Sequence, residues 1–123
     1  HIWVWWVHDD SRLNSELKRL IQTNESNGLG LSAISLWEVA KLHSLGRLTL
    51  PIPLAEWFAR ALGYPGIILL DLTPQIVIES TQLPGEFHKD PADQLIVATA
   101  RTFDCPLATM DSRILNYVGV NTL

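Results

Sequence analysis

The sequence predicts an α/β sandwich built on a parallel sheet, and three observations carry that expectation. The segments "GLGLSAIS", "GIILLDL" and "CPLATMD" are short and apolar and are bounded by glycine, proline or aspartate, as buried strands are. Between them lie segments with apolar residues at helical spacing. The alternation of the two along one chain is the pattern of parallel strands joined through helices. The chain has 123 residues, a usual size for one domain, and shows no repeat, linker or low-complexity tract. One compact domain over residues 1–123 is expected.

The chain opens on "HIWVWWV", too apolar for a surface loop and read as a short helix or the end of one. It begins without a methionine inside that apolar stretch, so the domain is expected to be incomplete at its N-terminus. "SRLNSELKRLIQTN" follows as a helix with Leu13, Leu17, Leu20 and Ile21 at helical spacing. After the strand "GLGLSAIS", the segment "SLWEVAKLHSLGRL" is read as a helix. Ser35 would be its cap, with Glu38 three residues on in the capping-box pattern. "PLAEWFARALG" has Pro53 near its start and Gly63 at its end, both helix punctuation. The strand "GIILLDL" leads to "TPQIVIESTQL", where a Thr cap and a proline open a helix. "DPADQLIVATARTFD" is apolar on nearly all sides from Leu95 to Ala100, which predicts a buried central helix. "CPLATMD" is read as a strand, "SRILNYV" as a helical turn and "GVNTL" as a last strand.

Composition excludes several functions. The chain is 47% hydrophobic and 18% charged, unlike a disordered segment. A single cysteine, Cys105, excludes a disulfide framework and a Cys-based zinc site, and the four histidines show no metal-ligand spacing. No apolar run approaches the ~18 residues of a membrane span, and no signal peptide is evident, which implies a cytoplasmic protein. The net charge of −4 argues against a broad basic surface for nucleic acid. Gly28 and Gly30 do not complete a dinucleotide-binding fingerprint.

The acids are more informative. Asp90, Pro91 and Asp93 form a complete helix start: a capping aspartate, a proline at the first position and an acid facing the positive end of the dipole. That alone needs no chemistry. In open parallel sheets, however, sites lie beyond the carboxyl ends of the strands. Asp111 follows the strand "PLATM" and Glu38 sits at the start of the helix after "GLSAI". Asp93 joins them if its helix begins on the same edge. Carboxylates gathered in one cleft repel, and a cation offsets that cost. Hard divalent cations such as Mg²⁺ and Mn²⁺ take oxygen ligands, and a bound cation activates water against a phosphodiester.

Glu38 in "SAISLWEVAKL", Asp93 in "HKDPADQLIVATA" and Asp111 in "ATMDSRIL" together closely resemble the PIN-domain ribonucleases of the VapC toxin type. The likeness covers essentially the whole chain. It implies a PIN-like three-layer sandwich and a quartet of acids binding Mg²⁺ or Mn²⁺. It also implies RNA cleavage and a small VapB-type antitoxin that blocks the site. Glu38, Asp93 and Asp111 match the second, third and fourth acids of the quartet. Asp90 matches an extra acid of the subgroup with an Asp-Pro-x-Asp segment, a cap with an accessory place at the metal. Thr109, Ser112 and Arg113 flank the fourth acid, within reach of the metal shell or a phosphate. The first acid would stand two positions before His1, on a first strand absent from this chain. Without it the alternative is a catalytically inactive PIN-like domain that binds protein or RNA.

Packing is the expected role of most of Trp3, Trp5, Trp6, Trp37 and Trp57. His1 and His8 are expected to be structural, and Asp71 to lie on the surface. His88 and Lys89 suit either an RNA phosphate or a solvated loop. The apolar surplus predicts a homodimer and a second patch for the antitoxin, contributed by "HIWVWWVHDD", "SLWEVAKLHSLGRL" and "PLAEWFARALG".

Overall fold

A computed structural model describes residues 1–123. Helices α1 (Ile2–Val7) and α2 (Ser15–Asn24) precede strand β1 (Leu29–Ser32), and α3 (Ile34–Ser44) and α4 (Leu54–Leu62) precede strand β2 (Ile67–Leu70). Helices α5 (Pro74–Ser80), α6 (Pro91–Thr102) and α7 (Ser112–Leu115) complete the chain. The strands pair in parallel, with Leu29 opposite Ile67 and Ser32 opposite Leu70. Two helices make the crossover between them, as parallel strands require. This is the α/β architecture expected from the alternating pattern, reduced to a two-stranded sheet. No helix is long and apolar enough to cross a membrane.

Local chemistry sets most helix starts. Asn14 accepts from the Leu17 N–H at 2.8 Å, so α2 begins at Ser15 and residues 11–13 stay outside it, although Leu13 is buried. Thr73 caps α5 and Asp90 caps α6, each followed by proline at the first helical position. The capping box expected at Ser35 does not form. The Ala33 N–H donates to the Leu70 carbonyl at 2.9 Å, and Ala33 is already helical in φ and ψ. The chain therefore passes from β1 straight into α3, which places Ser35 inside the first turn and leaves Glu38 without a capping role.

The strands expected at "CPLATMD" and "GVNTL" reduce to one parallel bridge between Leu107 and Thr122. Pro106 has no N–H to extend the ladder, and Thr109 and Asp111 are drawn into the turn that starts α7.

Three apolar clusters hold the elements together. The largest joins Trp3 and Val4 of α1, Leu31 of β1, Val39 of α3, and Trp57 and Ala61 of α4. Trp3 and Trp57 meet edge to face at 4.9 Å, and the Trp57 indole N–H donates to His8 Nε2 at 2.9 Å. That bond gives His8 the expected structural role. A second cluster packs Leu13, Leu17 and Ile21 against Ile2, Trp5 and Trp6. A third joins Val97 of α6, Ile114 of α7 and Tyr117. Trp37 alone of the five tryptophans is largely exposed, at 58%. Gly66 is required as glycine: its φ is +84°, and a Cβ there would strike the Glu25 carbonyl.

Ile76 of α5 is 1% exposed whereas Val118 is 99% exposed. Ile76→Ala is expected to lower the unfolding free energy by about 2–5 kcal/mol in a urea titration, with Val118→Ala within about 0.5 kcal/mol of the parent. Equal effects would contradict this packing.

Candidate metal centre

The elements that carry the acids are far apart in sequence and converge in space. Glu38 projects from the second turn of α3, just beyond the end of β1, and is half-buried. Asp90 and Asp93 open α6, where the Asp90 Oδ1 accepts from the Asp93 N–H at 3.1 Å. Asp111 caps α7 by accepting from the Arg113 N–H at 2.8 Å. Buried Thr109 sets the turn before it, its Oγ1 accepting from the Asp111 N–H at 3.0 Å. Helices α3 and α6 both pack against β1, which brings two of these starts to one side of the sheet.

The acids act on one another in a chain, Glu38 with Asp93 and Asp90, and Asp93 with Asp90 and Asp111. Burial holds the Glu38 carboxyl above its usual pKa; the nearby amino group of His1 partly offsets this, and Asp93 and Asp90 add to it. Burial also raises Asp93. Asp90 and Asp111 raise it further, while His88 and Arg113 oppose them. Asp111 moves the other way, held below the usual range chiefly by hydrogen bonds from the Arg113 side chain. The His1 amino group is depressed by burial even though Glu38 and Asp93 attract its charged form.

The donors suit a hard cation, because every one is a carboxylate oxygen. Two of them are held above their usual pKa, chiefly by burial and further by neighbouring carboxylates. Their present spacing does not yet put any three ligand side chains around one point. Nitrogen groups stand among them instead. Arg113 Nη2 lies 3.1 Å from Asp111 Oδ2 and 3.7 Å from Asp93 Oδ2. His88 Nε2 lies 3.0 Å from Asp93 Oδ2, without the alignment of a hydrogen bond. Beside the acids is a groove of about 360 Å³ lined by Ile34, Trp37, Glu38, Asp90, Pro91 and Ala92.

Thr109 thus acts on Asp111 through the backbone, and Ser112 is exposed at the first position of α7. Asp71 is exposed, as expected. His88 belongs with the acids rather than with the solvated loop. Its place two residues before the capping Asp90 was the available signal, but sequence spacing does not show which way a loop side chain turns.

Two comparisons bear on this cleft. Residues 1–120 match the PIN domain family. The chain is also similar to Ribonuclease VapC22 of Mycobacterium tuberculosis, 31% identical over 117 residues that cover 95% of this chain and 87% of that protein.

The raised Glu38 pKa carries a pH-dependent cost. A carboxyl held above its unfolded value destabilises the fold once ionised, so the cost is full above the folded pKa and gone below the unfolded one. Glu38→Gln is expected to stabilise the protein near pH 7.5 by about 1 kcal/mol or less after allowance for partial exposure, seen as a higher melting midpoint. The advantage should shrink as pH falls through the carboxylate range. Scanning calorimetry across that range checks it, and a variant that melts lower at neutral pH would refute it.

Proposed function

The chain belongs to the PIN-domain family as a ribonuclease of the VapC type, and from that premise we propose that it is a metal-dependent endoribonuclease toxin, hydrolysing RNA phosphodiester bonds and restrained by a VapB-type antitoxin. What supports the reading is that acids from three separate helices approach one another, Asp90 and Asp93 acting on Glu38 and Asp90 and Asp111 acting on Asp93, while burial holds Glu38 and Asp93 above their usual pKa. Collected carboxylates cost stability unless a cation offsets them, and a bound divalent cation is what phosphodiester hydrolysis uses.

In this reading Glu38, Asp93 and Asp111 are the ligands, with Asp90 as cap and accessory acid. A bound Mg²⁺ or Mn²⁺ would supply an activated water and neutralise charge developing on the phosphodiester. The residues of the chain do the placing. Asp90 caps the first turn of α6, in which Asp93 stands. Thr109 fixes the turn that presents Asp111. Arg113 and Lys89 lie on the exposed rim, where cations meet RNA phosphate. His1 lies beside Glu38 and Asp93.

The reading extends to partners and place: a homodimer in the cytoplasm, with the antitoxin covering the acid cleft and presenting an arginine to the carboxylates. The apolar surface that supports it lies mainly on α3, where Trp37, Leu42 and Leu45 are exposed. The opening segment contributes less than its composition suggests, because Trp3 and Val4 are spent in the core.

Glu38→Gln, Asp93→Asn and Asp111→Asn should each lower RNA cleavage by about 10²-fold or more with the fold retained by circular dichroism. Chelation should abolish cleavage. Mn²⁺ at about 100 times its Kd should stabilise the protein by ~2.7 kcal/mol in a thermal melt. Cleavage that survives chelation, with a melt indifferent to Mn²⁺, would sink the metal-centred mechanism.

A further inference from the structure

We propose that Arg113 is the resident counter-ion of the acid cleft, bridging Asp93 and Asp111 where a divalent cation would bind, and that its guanidinium leaves when the cation enters. The inference rests on the metal-centred reading above and adds to it a residue that governs metal affinity.

The geometry is specific. Arg113 Nη2 faces the Oδ2 atoms of both carboxylates, at 3.1 Å from Asp111 and 3.7 Å from Asp93. On Asp111 the other oxygen, Oδ1, is already engaged by the Arg113 backbone N–H at 2.8 Å and by Nε at 3.3 Å. Oδ2 is therefore the oxygen that departure of Nη2 frees. A guanidinium and a divalent cation cannot share it, because two positive charges within a few ångströms repel strongly outside bulk water. One of them must be displaced.

Displacement is easy on this chain. The Arg113 side chain is 57% exposed, against 17% for Asp93 and 22% for Asp111, so it lies over the acids from the solvent side. Its side-chain hydrogen bonds and ion pairs go to these two acids alone. Its backbone N–H keeps capping α7 through Asp111, which leaves the carboxylate in position. Positioning belongs to the main chain and charge compensation to the side chain, so the two are separable by substitution. His88 touches Asp93 alone and does not bridge. Arg113 therefore holds the two acids together in the metal-free state and competes with what would replace it.

The test is calorimetric titration of Mn²⁺ into the parent and Arg113→Gln, with metal-free thermal melts of both and of Arg113→Gln/Asp93→Asn. Arg113→Gln should bind Mn²⁺ roughly 3- to 10-fold tighter, the factor expected from losing two partly exposed competing ion pairs. Its metal-free form should melt below the parent, and adding Asp93→Asn should recover the loss. Unchanged or weaker Mn²⁺ binding in Arg113→Gln would overturn the proposal, leaving Arg113 as a support for Asp111 or a phosphate contact. If no variant binds Mn²⁺, the metal-centred function fails instead. The melts then still decide the counter-ion: a loss rescued by Asp93→Asn supports it, and no loss refutes it.

Discussion

Repulsion among carboxylates is the constraint to which the rest of the structure answers. Burial raises the Glu38 and Asp93 carboxyls most, Asp93 and Asp90 add to it at Glu38, Asp90 and Asp111 add to it at Asp93, and Asp111 itself is held low by Arg113. A cleft of that kind persists only if other interactions hold its walls. Here the walls are helix starts, and their geometry is secured by the same acids: Asp90 and Asp111 accept backbone N–H groups of α6 and α7. Anions at helix N-termini gain from the dipole, which returns part of the cost of collecting them. Structural and chemical roles therefore coincide in single residues.

The walls are also fixed from behind. Ala33 bonds to Leu70 across the strand pair, so the distance from the sheet to Glu38 is set by one short turn with no slack. Val97 and Ile114, both nearly inaccessible, lock α6 to α7. This places Asp93 and Asp111 on a common frame. Trp57 and Ala61 anchor α4 under α3 in the same way. The rim, by contrast, is exposed: Trp37 and Lys89 face solvent, and the Arg113 side chain is tied only to Asp111 and Asp93. Rigid acids with adaptable neighbours suit a site in which an ion and a charged polymer must both arrive.

Local signals in the sequence determined much of this. Thr73-Pro74 and Asp90-Pro91 marked their helices because capping and proline geometry act within a few residues. The apolar run through α6 marked a buried helix, and four of its residues from Val97 to Ala100 are indeed buried. The alternation of apolar segments with helical ones determined the fold class. What tertiary structure decided depends on groups distant in the chain. The bond from Ala33 to Leu70 moved the start of α3 ahead of Ser35. The pairing of "CPLATMD" with the end of the chain shrank to one bridge between Leu107 and Thr122. The direction of His88 and Arg113 toward the acids, and the spacing of the acids themselves, follow from packing between α3, α6 and α7. Helix caps are written in neighbouring residues and can be read there, whereas the field inside a cleft is a sum over side chains that only folding brings together.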